Sequence, residues 1–167
     1  FSLGTPMRLA RMTATIANGG RLYRPLLVDR VVGPDGEVVM HNEPEIVGTV
    51  DLAPEHFDAI RKGMFGVIED STGTARRQRL KSLAYAGKTG TAQVVALSKV
   101  RRRSDGTIAE RFRDHALFVA FAPYDNPEIA ISVMIEHGEH GSTVAAPIAR
   151  ELLEYYFNEQ VAAAADT

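Results

Sequence analysis

SLAYAGKTGTAQVV, at residues 82–95, is the most informative stretch of this sequence. Its tyrosine, threonine and valine residues favour extended backbone, so the stretch is predicted to form a strand, interrupted by Gly87 and Gly90. Two apolar runs of strand length follow at residues 116–122 and 128–136. Because the residues between them, PYDNP at 123–127, are typical of turns, the two runs are predicted to form a β-hairpin.

Three helices are predicted around these strands. Thr5-Pro6 is typical of a helix N-terminus, and Asn18-Gly19-Gly20 supplies the stop. A second helix begins at Pro54, and Ser142-Thr143 can cap a third over residues 144–157. The apolar residues at helical spacing are, helix by helix, Leu9, Met12 and Ile16; Phe57, Ile60, Met64 and Ile68; and Ile148, Leu152, Tyr155 and Tyr156.

A second hairpin is predicted between the first two helices, where residues 26–32 and 37–40 flank the turn Pro34-Asp35-Gly36. Gly63 and Gly66 lie inside the second helix and either weaken it or permit close packing. The order helix, hairpin, helix, strand, hairpin, helix indicates an α+β fold in which helices cover an antiparallel sheet.

Composition and charge are those of a globular domain. The 167 residues are 45% hydrophobic, and the net charge of −2 lacks the basic excess of a nucleic-acid-binding protein. The absence of cysteine excludes disulfides, thiolate zinc sites and cysteine nucleophiles. No apolar run reaches the roughly 18–20 residues of a membrane span, and the start Phe1-Ser2-Leu3 suggests a piece of a longer protein.

Gly87-Lys88-Thr89-Gly90-Thr91 allows two functional interpretations. A nucleotide P-loop requires a glycine at position 82, which is Ser82 here, and a helix directly after Lys88. The following residues have strand character, so the P-loop interpretation fails twice. The other interpretation is a Lys-Thr-Gly strand at the wall of an active-site cleft, and it competes with an exposed strand carrying a solvated lysine.

The chemistry of a cleft wall suits these residue types. The ammonium of Lys88 supplies a fixed positive charge for a substrate carboxylate. Gly90 lets an extended peptide lie against the backbone, with the hydroxyls of Thr89 and Thr91 on either side. The backbone N–H of Thr91 can donate to a developing oxyanion, so Lys88 and Thr91 are the candidate catalytic residues and Thr89, Gly90 and Thr91 the candidate substrate-binding residues.

Four other features are assigned structural roles. Glu136-His137-Gly138-Glu139-His140-Gly141 suggests metal, but its two glycines favour a solvated turn, and neither a metal nor a cofactor is predicted. Residues 70–75 are expected to end the second helix rather than bind an anion. The basic residues at 99–113 alternate with acids and predict a solvated loop within the long excursion 98–114. His115 is expected to be a structural histidine.

No serine in the chain has the context of a nucleophile. None is followed three residues later by lysine, and none lies in a Gly-x-Ser-x-Gly turn. The residues by themselves therefore provide half of an active site.

Several ordered blocks resemble the transpeptidase domain of class B penicillin-binding proteins. They are Thr5-Pro6-Met7-Arg8-Leu9-Ala10, Ala17-Asn18-Gly19-Gly20, Gly73-Thr74-Ala75 and Gly87-Lys88-Thr89-Gly90-Thr91-Ala92. AERFRDH at residues 109–115 and FAPYDNP at 121–127 are most similar to the penicillin-binding protein 2 branch, which acts in cell elongation. The resemblance spans residues 2–157.

The resemblance implies a penicillin-binding, β-lactamase-like serine transpeptidase fold, of which this chain is the C-terminal half. Residues 1–157 would form the C-terminal part of that domain and residues 158–167 a tail. The family's Ser-x-x-Lys and Ser-x-Asn elements, and its N-terminal membrane anchor, would lie upstream, so the chain alone is expected to be inactive.

The implied activity is D,D-transpeptidation of peptidoglycan stem peptides, inhibited by β-lactams. The implied setting is the periplasmic face of the bacterial inner membrane, with a SEDS-type glycosyltransferase as partner and no nucleic acid. A division-type transpeptidase and a β-lactam sensor domain remain alternatives. A serine β-lactamase ranks last, because such enzymes typically lack the excursion at 98–114.

Overall fold

The computed structural model describes residues 4–95 and 108–165. Within them the helices are α1 (Pro6–Ala17), α2 (Pro54–Glu69) and α3 (Ala146–Ala165). The strands are β1 (Arg21–Tyr23), β2 (Arg30–Val32), β3 (Val38–His41), β4 (Ile46–Thr49), β5 (Ala86–Ala92), β6 (His115–Ala122) and β7 (Ile129–Ile135). None of the described helices combines the length and hydropathy needed to cross a bilayer.

The central sheet has the order β5-β6-β7, and both pairings are antiparallel. The β6–β7 hairpin confirms the prediction for the two apolar runs. β5 begins at Ala86, four residues later than predicted, and ends at Ala92. Among the described residues β5 has a neighbour on one side only, so its other edge presents unpaired backbone groups.

Helices cover both faces of this sheet, which confirms the predicted α+β architecture. Successive side chains of a strand point to opposite faces. On one face Phe118 shares a buried cluster with Ile68 of α2 and Leu153 of α3. On the other, Phe121 packs with Ala17 of α1 and Met64 of α2. The two hydrophobic clusters hold β6 at the centre of the fold.

α1 has the predicted ends. The Thr5 hydroxyl accepts from the Arg8 amide at 3.3 Å, and Gly19 and Gly20 take positive φ angles of 76° and 104° after the last turn. The expected face is correct for Leu9 and Ile16, which are partly buried, and wrong for Met12, which is exposed. Fully buried Thr13 takes part in that face instead, because its hydroxyl donates to the carbonyl of Leu9.

The apolar stripe predicted for α3 is wrong. Ile148, Leu152 and Tyr155 are 38%, 50% and 65% exposed, and Tyr156 is half-buried. The fully buried residues on this side are instead Ala146, Ala149 and Leu153 of α3, together with Ala145 in the turn before it. Small side chains let the helix backbone approach the strands closely, and a pattern of large apolar residues does not reveal such a face.

The start and end of α3 also differ from the prediction. A π-helical turn over Gly141–Ala145 precedes the α-helix, and the Thr143 hydroxyl donates to the carbonyl of His140 instead of capping it. The helix continues to Ala165, eight residues beyond the predicted end.

The region between α1 and α2 contains two small sheets. β2 and β3 form the predicted hairpin around Gly36, whose φ is +82°. β1 pairs with β4, a pairing that the sequence did not predict. Arg24 lies just beyond β1, and its hydrogen bond and charge hold the pKa of the Glu45 carboxyl below its usual range.

α2 buries Phe57, Met64 and Ile68 as predicted, whereas Ile60 is 40% exposed. The structure also shows what surrounds the two glycines of α2. A Cβ at Gly63 would meet no atom within 4 Å, and a Cβ at Gly66 would meet only the flexible carboxyl end of Asp70 closely. Gly63 therefore weakens the helix without serving close packing.

Gly63→Ala is expected to raise the free energy of unfolding by roughly 0.5–1 kcal/mol, because alanine is the better helix former and the site is open. Gly87→Ala should have the opposite effect and lower the free energy of unfolding by about 1–3 kcal/mol, because its Cβ would lie 2.5 Å from the nearest atom of the Phe118 ring. Urea denaturation of the two variants measures both values. If both variants changed the free energy of unfolding by the same amount in the same direction, the packing described for β5 would be contradicted.

Candidate active site

The four candidate site residues lie together on β5, at the free edge of the described sheet. Lys88 is exposed, and its ammonium donates to the carbonyl of Thr89 at 2.8 Å. A strand, rather than a helix, follows Lys88, which confirms that the P-loop interpretation is wrong. The ammonium is thus carried by an edge strand, where an extended peptide can pair with the backbone.

The loop that ends α2 positions a hydroxyl that the sequence analysis did not assign to the site. The Ala75 amide donates to the carbonyl of Val67 at 3.0 Å, and a Cβ on Gly73 would lie 2.8 Å from the carbonyl carbon of Val67. These two contacts with Val67 fold the loop back on α2, and the Thr74 hydroxyl lies 3.2 Å from the Thr89 hydroxyl. The expectation that residues 70–75 end the helix is confirmed, and the hydroxyl pair is new.

A groove of about 530 Å³ opens beside this hydroxyl pair. The polar residues among its lining are Ser71, Thr74, Arg76, Arg77, Ser142 and Thr143; Lys88 is not part of it. Arg76 donates to the carbonyl of Glu69 at 2.6 Å, which fixes that guanidinium at the helix end. Hydroxyls and guanidinium groups together suit a ligand that carries carboxylates.

Residues 136–141, hereafter the 136–141 segment, meet the other end of the site. The Thr91 hydroxyl donates to the carbonyl of Glu139 at 3.3 Å. A Cβ on Gly141 would lie 2.7 Å from the carbonyl oxygen of Gly90 and would also overlap Leu117, so only glycine fits there. The segment thereby orients the Thr91 side chain.

The two glycines of β5 have packing reasons that the sequence did not reveal. A Cβ on Gly87 would enter the space of the Phe118 ring, and one on Gly90 would lie 3.1 Å from the Cβ of Leu117. Both contacts are with β6. The glycines therefore allow the neighbouring strand to pack closely, in addition to the predicted access for a peptide at Gly90.

Tyr85 anchors the chain just before β5. Its ring is fully buried, and its hydroxyl donates to the carbonyl of Gln78 at 2.7 Å. Burial raises the pKa of this phenol well above its usual range, so it stays neutral and acts as a hydrogen-bond donor. The residues preceding β5 are thereby tied to the 3₁₀ turn at Arg76–Gln78.

The other sequence candidates have mainly structural contacts. His115 accepts the His137 backbone N–H at Nδ1, 3.0 Å away, as expected of a structural histidine. Across residues 4–95 and 108–165, no three His, Asp or Glu side chains converge on a metal position. Residues 96–107, which carry most of the predicted basic loop, lie outside the described residues.

Comparison with known proteins identifies the family. The profile of the penicillin-binding protein transpeptidase domain matches residues 3–154. The chain therefore belongs to this family, and the resemblance inferred from the ordered blocks is confirmed.

The curated relatives include peptidoglycan D,D-transpeptidases. The chain is 38% identical over 152 residues to peptidoglycan D,D-transpeptidase MrdA of Acinetobacter baumannii, covering 91% of this chain and 22% of that protein. It is 32% identical over 162 residues to MrdA of Haemophilus influenzae, covering 94% of this chain and 24% of that protein. The chain thus spans about a quarter of the length of these relatives.

Solved structures show the same fold. Pseudomonas aeruginosa PBP2 in complex with WCK 5153 is 36% identical with a TM-score of 0.67, covering 92% of this chain and 29% of that one. The imipenem acyl-enzyme of Mycobacterium tuberculosis penicillin-binding protein A is 28% identical with a TM-score of 0.72, covering 92% and 31%. The sheet and helices described above are therefore those of a penicillin-binding transpeptidase domain.

Proposed function

We propose that these residues form the Lys-Thr-Gly side of the acyl-transfer site of a peptidoglycan D,D-transpeptidase that acts in cell elongation and is inhibited by β-lactams. The observation that carries the proposal is the position of Lys88, Thr89 and Thr91 on an edge strand in a chain of this family. Relatives named peptidoglycan D,D-transpeptidase MrdA, with 30–38% identity, support the elongation branch.

Binding is the first task of β5. The stem peptide pairs with the free edge of the strand in extended conformation, since backbone groups there are available to it. Its terminal carboxylate meets the Lys88 ammonium and the Thr89 hydroxyl, which Thr74 already orients. A compact ammonium at this position also favours proton transfer among the reacting groups.

The acyl transfer itself requires a serine from outside these residues. Its oxygen attacks the carbonyl carbon of the penultimate D-alanine, and the C–N bond to the terminal D-alanine breaks as that amine takes up a proton. The oxyanion that forms accepts from the Thr91 N–H and from the amide of the serine itself. An amine of a neighbouring stem peptide then attacks the ester and releases the serine.

The remaining parts follow from the same proposal. The serine belongs to a Ser-x-x-Lys element and is accompanied by Ser-x-Asn, both in the part of the domain that precedes these residues. Residues 1–157 are the C-terminal part of the domain. The full-length protein would act at the periplasmic face of the inner membrane beside a SEDS-type glycosyltransferase.

Two rivals share the fold. A division-type transpeptidase would have the same chemistry, and depletion separates the two, because loss of the elongation enzyme yields round cells and loss of the division enzyme yields filaments. A β-lactam sensor would be acylated by penicillin yet would not turn over a stem-peptide mimic. Release of D-alanine from such a mimic therefore excludes the sensor.

Fluorescent penicillin should label the full-length protein that contains these residues and leave an isolated fragment of residues 1–167 dark. The reason is that the ester forms on a serine located elsewhere. In-gel fluorescence after denaturation measures the label. Labelling of the fragment would show that a nucleophile lies within these residues, and it would refute the proposal that the serine lies elsewhere.

Lys88→Ala in the full-length protein should lower the rate of acylation by penicillin by at least about a hundredfold, because the charge facing the ligand carboxylate is lost. Lys88→Arg should also be slow, since a planar guanidinium does not replace a compact ammonium. Lys81→Ala is the matched control, an exposed lysine seven residues earlier that should keep the wild-type rate. Equal rates for Lys88→Ala and Lys81→Ala would place the cleft elsewhere.

A further inference from the structure

Residues 113–115 hold the 136–141 segment at three points. The His137 backbone N–H donates to Nδ1 of His115 at 3.0 Å, and the His137 ring Nδ1 lies 3.0 Å from the carbonyl oxygen of Arg113. The Glu139 amide donates to the carbonyl of Asp114 at 2.9 Å. These contacts join the start of β6 to the segment that follows β7.

The segment needs such contacts because its backbone is strained. His137 and Glu139 have φ angles of +57° and +63°, in the left-handed region that non-glycine residues rarely adopt. Residues in such conformations persist only when the surrounding structure fixes them. The three contacts with residues 113–115 provide this restraint.

The 136–141 segment also contacts the candidate active site. The Glu139 carbonyl accepts from the Thr91 hydroxyl, and Gly141 packs directly against Gly90. Asp114 adds a second link, because its carboxylate accepts from the Val94 amide just beyond β5 at 3.4 Å. A shift of the segment would therefore change the position of Thr91.

We propose that His115 is a positioning residue for acyl transfer: its neutral imidazole holds the 136–141 segment, and thereby Thr91, in the productive position, and its protonation releases both. This inference rests on the proposed function. It assigns to His115 a role in the reaction without contact to the substrate.

The two histidines respond differently to protonation. His115 accepts a hydrogen bond at Nδ1, so that nitrogen carries no proton in this contact. When His115 is protonated, its Nδ1–H and the His137 backbone N–H are both donors, and the hydrogen bond is lost. His137 faces a carbonyl with its Nδ1, so it acts there as the donor and keeps this bond when protonated. Acid therefore breaks the contact at His115.

Other charged residues lie close to His115 and His137 along the chain or line the same cavity as His137. β5 contributes Thr91 and Ala92, which are uncharged. The titratable and charged neighbours within the described residues are Arg113 and Asp114 before β6, Glu136, Glu139 and His140 in the 136–141 segment, and Glu110 and Arg111 in the cavity that His137 lines.

The test compares three variants of the full-length protein by penicillin acylation rate and by hydrogen exchange of the peptide that covers residues 136–141. His115→Asn keeps a non-titrating acceptor close to the position of Nδ1, and it should match the wild-type rate while His115 is neutral. Once acid has protonated His115, the wild-type rate should be about tenfold lower than the rate of this variant, the factor that one hydrogen bond supplies. His115→Ala should be about tenfold slow throughout and exchange about tenfold faster at the His137 amide.

Two histidine variants are controls. His56→Asn, at an exposed position on α2, should leave the rate and its pH profile unchanged. His137→Asn should keep the wild-type pH response, because asparagine tolerates positive φ and its backbone N–H still reaches His115. The proposal would be overturned if the rate of His137→Asn did not fall relative to that of His115→Asn on acidification, or if wild type and His115→Asn had the same pH profile.

Hydrogen exchange separates this inference from the proposed function. If wild-type protein is not acylated at all, the proposed function fails, and exchange still decides whether His115 holds the segment. If wild-type protein is acylated and His115→Ala exchanges at the wild-type rate, the positioning role is refuted. If His115→Ala does not fold, the pH-dependent ratio of wild type to His115→Asn decides by itself.

Discussion

The pairing of β5 with β6 is the constraint on which the whole candidate site depends. Seven consecutive residue pairs, from Ala86 opposite Phe121 to Ala92 opposite His115, fix the register of the two strands. The Phe118 ring occupies the space that a side chain at Gly87 would need, so packing as well as hydrogen bonding determines the position of β5. A slip of one residue would turn every side chain of β5 to the opposite face of the sheet.

Two loops from distant parts of the chain meet this strand. The loop after α2 presents Thr74 to Thr89, and the 136–141 segment presents the carbonyl of Glu139 to Thr91. Both threonine hydroxyls are therefore oriented before any ligand arrives. Such preorganisation favours electrostatic stabilisation of a developing charge, because little rearrangement is needed during the reaction. The proposed function of the strand and the proposed role of His115 are two consequences of this arrangement.

The parts of the fold that follow local patterns were predicted from the sequence. The β6–β7 hairpin combines apolar runs with turn residues, and α1 has a capping threonine and a glycine stop, so neighbouring residues specify both. The buried face of α3 was wrong because alanines, rather than Ile148 and Leu152, pack on the sheet. The start of β5 was also wrong, since Tyr85 is held by a hydrogen bond to Gln78 and not by strand pairing.

The candidate site was predictable in its residue types and not in its supports. Lys88, Thr89, Gly90 and Thr91 form one short motif, so their placement on a single strand followed from the sequence. The contacts of Thr89 with Thr74 and of Thr91 with Glu139 join residues 15 and 48 positions apart, and no local pattern encodes them. The positive φ angles of His137 and Glu139 were not predicted either, because neither residue is a glycine.

A crystal structure of the full-length protein acylated by penicillin tests the central claim most directly. The account predicts that the ligand carboxylate lies within hydrogen-bond distance, roughly 2.7–3.2 Å, of the Lys88 ammonium or the Thr89 hydroxyl. It also predicts that the acyl oxygen accepts from the Thr91 N–H. A ligand bound away from β5, with Lys88 directed into bulk water, would contradict the account.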